Sequence, residues 1–268
     1  MVAVQSLWIG ELTQLEILSI NSFIKNGIDF IFYTYDTDPI NLPDGTIVKD
    51  ANDIMPKQDI FKLKESYLPF SDIWRFKLLH DKGGIWVDLD MICLRAFDKE
   101  ITDAEYIFGS ERTIQKGAYR LDEPTVMNIN FLKAPQGSLF YKELYDKCIK
   151  YQSKNGAREN IKYMRMARDL IKKYNYEKYI KPYYYFNGID WWNAKEIYMH
   201  MPYGLKDKYG VCPCYRWEKE GYTLHCWRSI LKKRKVDLNS FECIRESSES
   251  QDYHEDSIIS RLLNRYKL

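Results

Sequence analysis

The opening of the chain sets the tightest limit on its fold. Val2 to Ile9 is a mostly apolar run ending at Gly10, and Phe30 to Tyr35 is a second, closed by Asp36-Thr37-Asp38-Pro39. Between them Leu15, Leu18, Ile20 and Phe23 recur at helical spacing, with Thr13 as the cap and Asn26-Gly27 as the stop. Strand, helix and strand in that order imply a parallel pair with the helix crossing over one face of the sheet. The chain is therefore expected to be α/β.

Residues 40–70 read as loop, punctuated by Pro43, Pro56 and Pro69, with a short strand-like piece at Ile47-Val48. Ser71 reads as the N-cap of a helix from Asp72 to about Lys82, which Gly83-Gly84 ends. Ile85-Trp86-Val87 is a buried strand running into Asp88-Leu89-Asp90, with Met91 to Leu94 continuing as an edge. Tyr106 to Glu111 and Val126 to Leu132 read as strands, Gly137 to Tyr151 and Ala157 to Tyr174 as helices. From Tyr183 the chain is loop-rich and aromatic, and it closes on an amphipathic helix reaching Leu268. The expected layout is one domain over residues 1–235 and a helical tail over 236–268.

Composition narrows the class of partner. Forty Lys and Arg against 38 Asp and Glu leave a net charge of +2, without the basic footprint of a nucleic-acid binder. Aromatics make up 15% of the chain, enough to fill cores and also to stack on bases or sugars. No apolar run reaches the length of about 18 residues that a membrane span needs, and Met1 to Ile9 lacks the basic start of a secretory signal. Cys212, Cys214, Cys226 and Cys243 match no usual zinc spacing, so free thiols in a reducing cytoplasm are expected.

The chemistry concentrates at Asp88 and Asp90. Two apart on an extended segment, they would present both carboxylates on one side while Leu89 packs on the other. Such a pair after a buried strand suits Mg²⁺ or Mn²⁺, which complete their shells with water and phosphate oxygens. Asp36-Thr37-Asp38 shares the spacing but precedes a proline and reads as a solvated turn. Asp72 and Arg75, three apart, share a face of the helix just before. Spacing alone leaves a surface ion pair equally open.

The stretch Phe70-Ser71-Asp72-Ile73-Trp74-Arg75-Phe76, Leu78-Leu79, Gly83-Gly84-Ile85-Trp86-Val87-Asp88-Leu89-Asp90 closely resembles the sugar-binding region of one glycosyltransferase family. That family includes α-mannosyltransferases, α-1,4-galactosyltransferases and bacterial capsule enzymes, and is related to clostridial glucosylating toxins. The resemblance implies a GT-A-type nucleotide-sugar-binding fold, a mixed, mostly parallel sheet flanked by helices. It implies a hexosyltransferase that uses Mn²⁺ or Mg²⁺ and a nucleotide-sugar donor, a UDP-sugar before others, with retention at the anomeric carbon. The acceptor would be a glycan or lipid-linked oligosaccharide in surface polysaccharide synthesis. Asp72 and Arg75 would hold the ribose and sugar, Trp86 would lie beside the donor, Asp88 would contact the sugar or ribose, and Asp90 would ligate the metal. Trp8 and Ile9, in an opening similar to the family's, would lie near the base. His225 and Trp227, in a stretch similar to the family's C-terminal His-x-Trp, would supply a metal or phosphate contact and part of a closing lid; Leu224 stands where a first histidine is common. Asn128 and Asn130 match the family's polar strand near the transferred sugar, and Asp190 is a candidate contact to sugar or acceptor, with an ordinary loop aspartate as the alternative.

Two other readings share these residues. A haloacid dehalogenase-like phosphohydrolase also places Asp-x-Asp after an apolar strand, but near its N-terminus and with a late acidic motif not found here. A non-catalytic sugar-binding module would keep the fold without turnover. Finally, Lys232-Lys233-Arg234-Lys235 and the apolar stripe of residues 257–268 fit either docking onto the chain's own core or a second copy, or peripheral contact with the inner membrane face.

Overall fold

The computed structural model describes residues 2–39, 41–112, 126–155, 163–197, 216–233 and 257–267. In chain order these form β1 (Ala3–Trp8), α1 (Gln14–Lys25), β2 (Asp29–Thr34), β3 (Ile47–Asp50), α2 (Leu68–Asp81), β4 (Gly84–Val87), β5 (Met91–Cys93) and α3 (Lys99–Thr102). There follow β6 (Ile107–Glu111), β7 (Val126–Ala134), α4 (Leu139–Asn155), α5 (Tyr163–Tyr174), α6 (Tyr183–Phe186), α7 (Arg216–Glu220), β8 (Thr223–His225), α8 (Arg228–Lys233) and α9 (Ile258–Tyr266).

Among the described residues the main sheet runs β3-β2-β1-β4-β7-β6. The pairings from β3 to β4 are parallel, whereas β7 is antiparallel to both β4 and β6. The sheet is thus mixed, mostly parallel and flanked by helices, as expected. Alternation along the central strands divides the core between its two faces. Leu7 and Trp86 join Trp74 and Phe76 of α2, Phe140 of α4 and Tyr163 of α5 on one side. Val4, Ile85 and Val87 join Phe23 of α1 with Phe30 and Phe131 on the other. A third cluster lies under a separate ribbon, β5-β8, where Leu15 and Leu18 meet Ile92, Leu224, Ile259 and Leu262.

The start of α1 follows its sequence signal: the Thr13 N–H donates to Glu16 at 2.7 Å, as in a capping box. Two expectations need correction. Helix α2 begins at Leu68, a turn before Ser71, with Pro69 in the first turn where a missing N–H costs nothing. Ser71 therefore sits inside the helix and faces Arg75. Met91 to Leu94 does not extend the main sheet either; β5 leaves it and pairs antiparallel with β8, Met91 opposite His225.

Helix α9 lays its apolar stripe on the chain's own core. Ile259, Leu262 and Tyr266 are buried, the Asn21 side chain donates to the Tyr266 carbonyl at 3.0 Å, and Arg265 donates to the Leu94 carbonyl at 2.7 Å. Of the two readings of the stripe, the contacts made by α9 are those of docking onto the chain's own core. Lys232 and Lys233 end α8, while Arg234, Lys235 and the polar stretch that follows lie outside the described residues. Cys93, Cys148 and Cys226 are free and buried; Cys212, Cys214 and Cys243 also lie outside the described residues. Among the described residues no helix is long and apolar enough to cross a membrane.

Gly83 and Gly84 make the turn from α2 into β4. Both have positive φ, +66° and +89°, and a Cβ on Gly83 would come within 2.4 Å of the Gln136 backbone nitrogen. Because backbone on both sides must move, Gly83→Ala should lose about 2 kcal/mol or more of stability, read from urea unfolding. An unchanged midpoint would show that the turn tolerates a side chain.

Candidate active site

The site begins with the order of the strands. From β1 the chain crosses through α1 to β2 on one side, and later returns through α2 to β4 on the other. The carboxyl ends of β1 and β4 thus flank the point where the strand order reverses, the place where open α/β sheets leave a crevice for ligands. Trp8 ends β1 with Ile9 just beyond it, and Asp88 follows β4.

Asp88 and Asp90 come together through a turn, not through the alternation of an extended strand. The Asp88 N–H continues the sheet ladder to the Asn130 carbonyl at 2.8 Å, and the Asp88 carbonyl accepts from the Met91 N–H at 3.1 Å. This reversal buries Leu89 and brings Asp90 back beside Asp88. One oxygen from each carboxylate and one nitrogen of His225 lie within 4.8 Å of one another. Two carboxylates and an imidazole form a donor set that could hold a divalent metal.

Arg75 builds the Asp88 side. It is 2% exposed, donates from Nη1 to Asp88 Oδ1 at 2.7 Å and to the Ile129 carbonyl at 2.9 Å, and pairs through Nη2 with Asp72 at 2.9 Å. Its guanidinium lies 4.7 Å from the Trp86 ring centroid, and the Trp86 indole N–H donates to the same Asp88 oxygen at 2.9 Å. Trp86 is 1% exposed, so it supports Asp88 from behind and has no face left for a donor. That corrects its expected role. Arg75, similarly enclosed, orients the carboxylates of Asp72 and Asp88.

His225 and the backbone of α8 hold Asp90. Its Oδ2 lies 3.3 Å from His225 Nε2 and accepts from the Arg228 N–H at 2.8 Å, capping the start of α8. On the other edge of the ring, Nδ1 lies 3.0 Å from both the Asn130 amide nitrogen and the Asn187 side-chain oxygen. Asn130 is 1% exposed and orients the histidine; it does not face a sugar as expected. Trp227 is buried, with its indole N–H donating to the Ile189 carbonyl at 2.7 Å and its ring 3.9 Å from that of His225. It is a fixed wall behind the histidine, anchored too deeply for the expected lid. The Arg228 side chain pairs with Glu16 of α1 and lies 4.6 Å from the Trp8 ring centroid, which draws Trp8 toward this side.

Asp190 does not offer a free carboxylate. Both of its oxygens accept from Arg112, Oδ1 from Nε at 2.9 Å and Oδ2 from Nη2, in a fully buried fork. The expected contact to sugar or acceptor gives way to an anchor. The sequence reading missed Asn187, Arg228 and Glu111. Asn187 lay three residues before the aspartate chosen in its place. Glu111 ends β6, accepts from Asn128, and carries a raised pKa through burial, opposed by Asn128 and His225. A polar residue closing an apolar strand was its only signal.

The buried carboxylates titrate in opposite directions. Burial and the neighbouring Asp90 push Asp88 up, against the pull of Arg75. Asp90 is held below the usual range: burial raises it, but His225 and the Arg228 N–H outweigh that. For His225, burial opposes protonation, yet Asp90, Asp88 and Glu111 lift its pKa above 6.5. Asp90, Asp88 and Glu111 thus surround the His225 ring with carboxylates that stabilise positive charge there.

The Caps_synth family, described as capsular polysaccharide synthesis protein, matches residues 52–200, the span that contains α2, β4 and the Asp88-Asp90 turn. The chain belongs to that family. Membership bears out the resemblance to capsule enzymes and the expectation of a glycosyltransferase, and the phosphohydrolase alternative falls with it. Among solved structures, PaToxG glycosyltransferase superimposes with a TM-score of 0.39 at 15% identity, over 65% of this chain and 74% of that one. The apo-form glycosyltransferase GlyE of Streptococcus pneumoniae TIGR4 gives 0.47 at 13% identity, over 100% of this chain and 60% of that one. No curated protein matches.

Asp72 supplies a pH test of this site. Burial, partly offset by Arg75, raises its pKa from 3.8 to about 6. A carboxyl whose folded pKa exceeds its unfolded one favours the fold when protonated, and that contribution is lost as pH rises from about 4 to about 6. Asp72→Asn should flatten the fall in Tm across that interval for the protein without ligands. An identical slope in the variant would show that Asp72 does not titrate there.

Proposed function

We propose that this capsule-family enzyme transfers a hexose from a nucleotide-sugar, a UDP-sugar before others, to a glycan or lipid-linked oligosaccharide acceptor in surface polysaccharide synthesis. We further propose that it retains anomeric configuration and uses a divalent cation, Mn²⁺ or Mg²⁺. The observation that carries this reading is the convergence of Asp88, Asp90 and His225 at the carboxyl ends of β1 and β4. These three residues would hold the cation, which when bound offsets the charge of a diphosphate leaving group.

The chain's own residues account for the rest. Arg75 and Trp86 fix the rotamer of Asp88 from below, and Asn130 and Asn187 fix the ring of His225, so the donor set is oriented before a ligand arrives. Asp72, half-buried beside Arg75, is placed to accept from ribose or sugar hydroxyls. Trp8 and Ile9, both partly exposed at the end of β1, offer apolar surface on the base side of the crevice. Retention and the preference for uridine rest on the family resemblance.

The test is release of UDP from a panel of UDP-sugars, with and without Mn²⁺. Asp90→Asn should lower turnover at least about a hundredfold, with a lower Tm as well because Asp90 also caps α8 and meets His225, so turnover is compared at a temperature where the variant is folded. Because His225 must be neutral to ligate and its pKa is raised, Mn²⁺ affinity should also weaken as pH falls below neutrality. Full activity of the wild-type protein in excess EDTA would refute the metal reading. Tight nucleotide binding without hydrolysis or transfer would point to the non-catalytic module.

A further inference from the structure

The ribbon β5-β8 has two ends with different chemistry. One end carries Asp90 before Met91 and closes on His225; the other runs into Leu94 and Arg95 and starts after Gly221. At that second end lies an open cavity of about 420 Å³, bounded by α7, α9 and the turn after β5. Three residues of strand separate it from the Asp88-Asp90-His225 cluster, roughly 10 Å at strand rise.

The lining is apolar on the floor and cationic at the wall. Leu94, Trp217, Ile258 and Leu262 supply the floor. Arg95 comes from the turn after β5, while Arg261 and Arg265 stand four apart on one face of α9. Glu218 is the acidic residue among the described lining residues, 3.6 Å from Arg261, so positive charge is in excess.

Arg95 is fixed in place at the wall. Its guanidinium is packed 4.0 Å from the Tyr222 ring centroid and one terminal nitrogen donates to the Glu220 carbonyl at 2.9 Å. Its Nε is buried and has no hydrogen-bond partner among the described residues. Guanidinium forks suit phosphoryl oxygens, and a cavity of this size matches a small organic ligand.

We propose that this cavity binds a phosphoryl dianion carried on a small apolar group, at a site separate from the Asp88-Asp90-His225 cluster. The arginines take the phosphoryl oxygens and the Leu94-Trp217-Leu262 floor takes the apolar part. A soluble phosphomonoester and an anionic phospholipid headgroup share that chemistry.

The test is calorimetric titration of the full chain in EDTA, which removes any metal-held phosphate from the other site. The probes are hexyl phosphate, inorganic phosphate and phosphatidylcholine vesicles containing phosphatidic acid. Hexyl phosphate should bind one to one, and more tightly than inorganic phosphate. Arg261→Gln should weaken it about tenfold, Arg261→Glu further, and Asp90→Asn not at all. Arg261 is exposed on α9, so neither of its variants threatens the fold. Vesicle binding with the same dependence on Arg261 would identify the headgroup as the source; binding of the soluble ester alone would identify the ester. No saturable binding by any probe overturns the proposal, as does binding indifferent to Arg261 or lost in Asp90→Asn. Inorganic phosphate binding as tightly as hexyl phosphate would overturn the apolar part.

Discussion

Arg75 is a buried cation, and three parts of the chain are arranged to satisfy it. It joins Ser71 and Asp72 of its own helix, Asp88 at the end of β4 and the Ile129 carbonyl of β7, with the Trp86 ring against its plane. Removing one partner from a buried ion pair costs about 3–5 kcal/mol, because the survivor stays in a medium that cannot solvate it. Helix α2 therefore cannot shift along the sheet without stranding a charge. The placement of Asp88 follows from that constraint.

A second lock holds the other half of the cluster. Asp90 accepts from the start of α8 and meets His225, and the Arg228 side chain crosses to Glu16, which is itself fully buried on α1. The left-handed backbone at Trp227, φ +54°, allows the chain to turn from β8 into α8 at the point where the Arg228 N–H reaches Asp90. Such a conformation costs about 1–2 kcal/mol for a residue with a side chain, and the indole bond to the Ile189 carbonyl helps to hold it. Strain and buried charge both gather at the site, where function requires groups held against their ordinary preferences.

Much of this was legible beforehand because it depends on local pattern. The β1-α1-β2 opening, the Gly83-Gly84 stop and the pairing of Asp88 with Asp90 after a buried strand each lie within a few residues of their own cause, although a turn and not an extended segment brings the two carboxylates together. What escaped depends on distant contacts. No spacing rule says that Arg112 will take both oxygens of Asp190, 78 residues on, or that Asn130 will turn inward to His225, 95 residues on. Trp86 shows a subtler limit. An aromatic beside a carboxylate pair reads equally well as a ligand platform or as its support, and only burial separates the two. The start of α2 was misread for a local reason, since Ser71 resembles an N-cap while Pro69 was taken as loop when it fits the first turn of a helix.

The two locks belong to different sheets, and that division gives the site its mechanical character. Asp88 is fixed to the main sheet through Arg75, whereas Asp90 and His225 ride on the β5-β8 ribbon and its own apolar cluster. The turn from Asp88 to Met91 and the contact of Asn130 with His225 join them across the cluster. A charge that draws the three side chains together would therefore clamp the ribbon to the sheet and tighten the crevice at the end of β1. The cavity at the far end of the ribbon is lined by α9, which is itself tied to α1 through Asn21 and to the turn after β5 through Arg265.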